Sequence, residues 1–263
     1  MAPPAPLLLP TVAAATEPRS VGLGAPWTWL RRGWADLVRC PGPGLLHGAA
    51  CAAFGGLLFA FFHQRFWWLA GAFSGFLIVA PIVATGLYRI SRELESGRRC
   101  GLHEALAAWH PRDGRLVRFG LLLGLAGTGW VLTSASLITA FSPEQVRNPL
   151  DFLRHVVLRE QGLLFEAWLV LGGVLAAPVF ASSVVALPML LDRPVTVLQA
   201  VLGSWRAVVE NPAPIALWAA LLMLLTLAGM AAGLLGLIVV VPWLAHASWH
   251  AYRDLYPPGA PAP

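Results

Sequence analysis

Six stretches of the chain, each roughly 17 to 25 residues long, run with almost no charge, and that pattern limits the fold more than any single motif does. They cover residues 45–62, 67–88, 117–140, 163–187, 214–230 and 233–250. A helix rises about 1.5 Å per residue, so about 20 apolar residues cross the roughly 30 Å hydrocarbon layer of a bilayer. In that layer every backbone N–H and C=O must find a partner inside the protein, which helices provide within one segment. The implied fold is all-α, a polytopic membrane bundle of about six transmembrane helices. Residues 27–256 form one transmembrane domain between two Pro/Ala-rich tails, 1–26 and 257–263. The first tail has no basic start and no apolar run long enough for a cleaved signal peptide.

Composition agrees. The 263 residues are 57% hydrophobic and 12% charged, with a mean hydropathy of +0.68. Soluble domains are nearer half apolar and a quarter charged. A soluble globule, a disordered chain and a disulfide scaffold are therefore excluded. A nucleic-acid binder is excluded too, although the net charge is +5. All of the basic side chains except histidine are arginine, which with abundant Ala, Gly and Pro fits a GC-rich bacterial genome. Cys40, Cys51 and Cys100 cannot all pair with one another and read as reduced thiols, and their spacing is not that of a metal site.

Arginine placement gives the orientation, because basic loops stay in the cytoplasm. Fourteen arginines fall on the side of the N-terminus, the loop between spans two and three, the loop between spans four and five, and the C-terminus. Four fall on the other side: Arg65, Arg147, Arg154 and Arg159. Both termini are expected in the cytoplasm, with the protein in a bacterial inner membrane.

The loops before spans one, three and five carry helical periodicity of their own. Trp27, Leu30, Trp34, Leu37 and Val38 share one face, with Arg31, Arg32, Asp36 and Arg39 elsewhere. Leu198, Val201, Leu202, Trp205, Val208 and Val209 repeat the pattern, and Leu102, Leu106 and Trp109 give a shorter version. Apolar residues at i, i+3, i+4 and i+7 beside arginines suit helices lying in the cytoplasmic interface. These segments also align. Gly33 to Pro43 matches Ser204 to Pro214 at an offset of 171, and Pro81, Arg92, Glu93 and Leu94 match Pro242, Arg253, Asp254 and Leu255 at an offset of 161. Pro178 takes the same place in the middle unit. The expected plan is three repeats of interfacial helix plus helical hairpin, all in one orientation. Gly71 with Gly75, Gly120 with Gly124, and Gly229 with Gly233 have the spacing that lets membrane helices approach closely.

Three strings carry a resemblance: 187–193 (Leu-Pro-Met-Leu-Leu-Asp-Arg), 210–212 (Glu-Asn-Pro) and 246–253 (His-Ala-Ser-Trp-His-Ala-Tyr-Arg). They resemble an uncharacterised bacterial family of predicted integral membrane proteins, over nearly the whole of 27–256. Some members carry a cytochrome c oxidase component label without an established function. The family's last string usually begins Gly-His, where this chain has Ala245-His246. The overall plan is also similar, more weakly, to membrane domains that accompany some bacterial glycerophosphodiester phosphodiesterases, whose hydrolase half is absent here. The resemblance implies the topology and leaves activity open.

Chemistry-bearing side chains are few. Glu166 is the one carboxylate inside an expected span, near its outer end, which argues against an ion-coupled pump. His246 and His250 lie four apart on one helical face, and His47 sits at the same expected depth, so these three are the candidate cofactor-binding residues. A haem-copper catalytic subunit needs about half a dozen membrane histidines, and three cannot supply them. His246 and His250, beside Trp249 and Tyr252, read as anchors of a helix end with no cofactor and no metal bound. No Gly-rich phosphate loop, no G-x-S-x-G elbow and no HExxH motif is present. The sequence thus implies a non-enzymatic membrane component that contacts the lipid bilayer and binds lipid, a small apolar molecule or another membrane protein. The alternative is a redox-linked protein that binds or delivers haem or copper to a respiratory complex.

Overall fold

The computed structural model describes residues 17–98, 101–107, 114–159 and 162–258, with the side chains at 70, 73–83, 106 and 107 outside the description. The expected sites Trp109, Pro111 and Cys100 lie outside the described residues, as do the surroundings of Gly75 and the side chains of Pro81 and Leu106. Eleven helices and one short π-helical turn make up the described chain. Six are long: α2 (Pro41–Phe62), α3 (Phe66–Glu95), α5 (Arg115–Phe141), α7 (Leu164–Ser183), α10 (Pro212–Ala231) and α11 (Leu237–Leu255). The others are α1 (Ala25–Arg39), α4 (Leu102–Ala107), α6 (Pro149–Phe152) running into the π turn at Leu153–Val157, α8 (Ala186–Asp192) and α9 (Val197–Glu210).

Among the described residues, four segments are long and apolar enough to cross a membrane: Pro41–Phe62, Arg115–Phe141, Leu164–Asp192 and Pro212–Ala231. The protein is a helical membrane bundle. α11 is not among the four, because its C-terminal half carries His246, His250, Arg253 and Asp254. Little of each crossing segment is buried within the chain, from 17% to 44% of its apolar window. Large side chains such as Leu125, Leu132, Leu169, Val170, Leu224 and Leu227 are exposed along them, as expected where lipid tails supply the solvent.

α11 runs through the middle of the bundle, packed against α1, α2, α3 and α10. Small residues set its distances. A Cβ on Gly48 of α2 would stand 2.1 Å from the Ile238 carbonyl oxygen of α11, and one on Gly33 of α1 would stand 2.5 Å from the Ala247 backbone nitrogen. The α10–α11 connection occupies residues 232–236, later than the expected break at 231–232. Gly233 and Leu234 both take positive φ there, 66° and 68°. Gly233 therefore serves the turn, where its missing Cβ removes strain. The close helix approach expected at Gly229 and Gly233 instead joins Gly229 to Gly236, whose added Cβ would stand 2.7 Å from the Gly229 Cα. The expected fourth span is interrupted: α7 stops at Ser183 and α8 begins at Ala186, with Val185 between them at φ −125°, ψ −4°.

The two surface helices show how the apolar faces are used. On α1 the buried side is Pro26, Trp29, Leu30, Gly33, Asp36 and Leu37, while Trp27, Trp34 and Val38 are exposed. The single apolar face expected from periodicity is thus split, and Asp36, expected among the arginines, points into the bundle. On α9 the small residues Ala200, Gly203, Ser204 and Ala207 face the protein, and Leu198, Leu202, Trp205 and Val209 face out. The two helices end alike. Cys40 and Asn211, at the 171 offset, have φ/ψ of −138°/67° and −130°/51°, and each is followed by a helix beginning with proline. Proline suits the first helical turn because its missing N–H is not needed there. The two described span prolines are not equivalent, since Pro178 is exposed and Pro242 buried. They do not line one cavity.

Candidate functional site

A connected cluster of polar side chains lies where α3, α8 and α11 finish and α1 begins its contact with α11. Asp192, the last residue of α8, is the centre. Its Oδ2 accepts from Arg253 Nη1 at 2.9 Å and from the Tyr252 hydroxyl at 2.8 Å, and its Oδ1 lies 3.6 Å from Arg92 Nε. Arg92 and Arg253 are the arginines paired by the 161 offset, so two repeat-related cations meet one carboxylate of the middle unit. Arg253 also donates to Glu95 at 2.9 Å, and its guanidinium lies 4.7 Å over the Trp249 ring. The adjoining Asp254 accepts from the Trp29 indole at 2.9 Å and from Arg32 at 2.8 Å, which fastens α1 to the same place.

Arg193 completes the cluster. It donates to the Tyr252 hydroxyl at 2.8 Å and to the carbonyls of Tyr256 and Pro257 at 2.9 and 2.8 Å. The Tyr256 hydroxyl in turn donates to the Gly203 carbonyl at 2.9 Å. Burial, with the Asp192 carboxylate close by, holds the Tyr252 phenol above its ordinary range, and burial pushes Tyr256 up to about 12. Both phenols stay protonated and act as donors. Arg98 hydrogen-bonds the Glu93 carboxylate and keeps it below the usual carboxylate range. Asn211 ties down the chain ahead of α1: its Oδ1 accepts from the Val21 amide at 2.7 Å, and its Nδ2 donates to the Arg19 carbonyl at 3.1 Å. The Arg19 amide also donates to the Leu255 carbonyl at 2.9 Å.

The candidate histidines lie just inside this cluster. His250 Nε2 is 2.8 Å from Asp36 Oδ2, a pair shielded between α11 and α1. His246 is fully buried, with Nδ1 2.8 Å from the Ser91 hydroxyl of α3. Its Nε2 is buried without a hydrogen-bond partner among the described residues and faces Gly44 of α2, 3.7 Å from where a Cβ would be. His47, one turn further along α2, is buried with Nδ1 2.6 Å from the Pro43 carbonyl. Sequence reasoning named the three histidines and missed Asp36 and Ser91, which come from helices remote in the chain. Among the described residues no group of three His, Cys, Asp or Glu has the geometry of a metal centre. A porphyrin plane does not fit between His47 and His246, because α2 and α11 touch backbone to backbone at Gly48 and Ile238. Glu166 is exposed in the first turn of α7.

Residues 69–192 match the DUF2189 family, described as a predicted integral membrane protein. No curated protein and no solved structure matches the chain. The DUF2189 match runs from early α3 to Asp192, so it takes in the carboxylate at the centre of the polar cluster and the first of the three strings up to that residue. The strings at 210–212 and 246–253 lie beyond it. The DUF2189 description is that of a membrane protein and carries no oxidase role. All three strings have a structural explanation here: Asp192 and Arg193 organise the cluster, Asn211 pins the segment before α1, and Tyr252 and Arg253 answer Asp192.

Proposed function

We propose that the protein is a non-enzymatic component of a bacterial inner membrane, with both termini in the cytoplasm, that works by binding lipid through its surface helices α1 and α9. The observation that carries this reading is the division of each helix. On α1, Trp29, Leu30, Gly33, Asp36 and Leu37 face the bundle and Trp27, Trp34 and Val38 face outward; on α9, Ala200, Gly203, Ser204 and Ala207 face the bundle and Leu198, Leu202, Trp205 and Val209 face outward. Arg31, Arg32, Arg39 and Arg206 are exposed beside them. Exposed tryptophans and aliphatics flanked by arginine suit the headgroup layer of an acidic leaflet. The arginine asymmetry supports this layer being the cytoplasmic one. The six long helices, taken two each behind α1, the short α4 and α9, support a three-unit plan, with α3 and α11 crossing the membrane alongside the four apolar segments.

The test uses nitroxide labels at position 34 (Trp34→Cys), position 205 (Trp205→Cys) and position 64 (Gln64→Cys) in a cysteine-free background. Labels at 34 and 205 should report the same headgroup depth and be reduced by an impermeant reductant only in inside-out vesicles. The label at 64 should respond only in right-side-out vesicles. Different depths at 34 and 205, or the opposite sidedness, would defeat the proposal.

One observation favours the redox reading, the buried Nε2 of His246. Against it, His250 is engaged by Asp36, and the α2–α11 seam has no room for haem. We therefore read His246 and His250 as fasteners between α11 and its neighbours. Protein purified from cells supplied with haem and copper should carry neither in stoichiometric amount. Copper or a Soret band that vanishes in His246→Ala would reverse that assignment.

A further inference from the structure

At the end of the bundle away from Asp192, the turn between α2 and α3 and the end of α5 enclose a half-open cavity of about 500 Å³. That is within the range of small-molecule sites, roughly 300–1,000 Å³. Its polar wall holds two guanidiniums, Arg65 and Arg147, and one carboxylate, Glu144. Glu144 is taken by His155 Nδ1 at 2.9 Å, and Arg147 is held by the Gln145 side chain at 2.9 Å. Arg65 has no side-chain partner among the described residues. Two guanidiniums face one carboxylate, so the cavity wall carries net positive charge, and Arg65 is the guanidinium there without a hydrogen-bond partner among the described residues.

Its other wall is Trp67 and Trp68, and both also line a second cavity of about 440 Å³ whose remaining walls are Phe62, Gly71 and Ala72. These residues are all apolar; Gly71 and Ala72 lie about one helical turn beyond Trp67 and Trp68 along α3, and Phe62 ends α2 beside them. A polar chamber with a free arginine, continuous through two tryptophans with an apolar groove, has the shape and polarity of a lipid: headgroup above, acyl chain below.

We propose that this end of the bundle holds one acidic phospholipid, with its phosphate beside Arg65 and one acyl chain in the groove under Trp67 and Trp68. Arginine suits the role because its planar fork donates two parallel hydrogen bonds to a phosphate. The tryptophans suit it because the indole ring tolerates both water and hydrocarbon. This proposal rests on the reading of the protein as a lipid-binding membrane component and adds a discrete site, at the opposite end from α1 and α9.

The experiment is lipid retention by the full chain, reconstituted in mixed phosphatidylglycerol and phosphatidylcholine nanodiscs and analysed by native mass spectrometry. The intact protein should retain one phosphatidylglycerol in preference to phosphatidylcholine. Arg65→Gln should weaken that retention about tenfold, the loss of one charge-assisted contact. Arg154→Gln, an exposed arginine outside the cavity, should leave it unchanged. Gly71→Leu is the second variant: a Cβ at Gly71 meets nothing within 4 Å, so the larger side chain fills the groove without disturbing the helix. It should also weaken retention while leaving thermal stability unchanged. Equal retention of the two lipids, or no response to Arg65→Gln, would overturn the proposal. So would glycerol 3-phosphate binding as tightly as the lipid with no effect of Gly71→Leu, which would make the site one for a soluble phosphate. The labels at 34 and 205 report on the other end, so failure of that reading and failure of this site are read separately.

Discussion

Asp192→Ala is expected to destabilise the protein by about 3 kcal/mol, the loss typical of removing one partner from a shielded ion pair. The side chains of Asp192 and Arg253 are only 10% and 13% exposed. Removing the carboxylate leaves the Arg253 Nη1 and the Tyr252 hydroxyl without the acceptor they share, and leaves two cations, Arg92 and Arg253, facing each other. Asp192→Asn keeps the shape and an acceptor oxygen but not the charge, and should cost about half as much. The measurement is the midpoint of thermal aggregation in detergent, compared with Arg31→Gln on the exposed side of α1, which should stay within about 0.5 kcal/mol of the parent. If Asp192→Ala melted with the parent, the cluster would be a surface ion pair of little weight, and the three strings would need another explanation.

What the sequence made legible follows from the physics of the bilayer. The apolar runs identify the six long helices because a membrane leaves the backbone no alternative to helix, and α2, α5 and α10 lie close to the expected limits. The offset of 171 foresaw the shared backbone at Cys40 and Asn211, since a proline two residues after the preceding helix enforces it. The offset of 161 placed Arg92 and Arg253 in equivalent positions, and that was the signal for a common acceptor. It could not name Asp192, because the partner of a repeated residue need not be repeated.

Two kinds of feature were out of reach. The first is a polar residue on a buried helix face. Periodicity puts Trp27, Leu30, Trp34, Leu37 and Val38 of α1 on one face, but only Leu30 and Leu37 of these turn inward, beside Trp29 and Asp36, so Asp36 seemed solvated when it is 4% exposed. On α9 the small-residue face is the one that packs, and on α1 large apolar side chains lie on both faces, so their spacing alone does not say which side meets the bundle. The second is a turn built from apolar residues. Residues 233–236 read Gly-Leu-Leu-Gly, with none of the polar turn chemistry that marks hairpins in water, so the start of α11 was set four residues early.

Gly48→Ala should have an effect as large as that of Asp192→Ala, by a different route. The added methyl would stand 2.1 Å from the Ile238 carbonyl oxygen and 2.6 Å from its carbon, and the obstacle is backbone, which cannot swing aside as a side chain would. α2 and α11 must separate, and overpacking of this kind costs about 3 kcal/mol. Separation would also move Gly44 away from the buried face of His246 and open the seam that now keeps that imidazole from water and lipid. Gly56→Ala on the same helix meets nothing within 4 Å and removes a residue that weakens helices, so it should be neutral or mildly stabilising. The comparison is the fraction of monodisperse protein after heating in detergent. A Gly48→Ala protein as stable as Gly56→Ala would mean that α2 does not rest on α11 at this seam, and the argument that no porphyrin lies between His47 and His246 would fall with it.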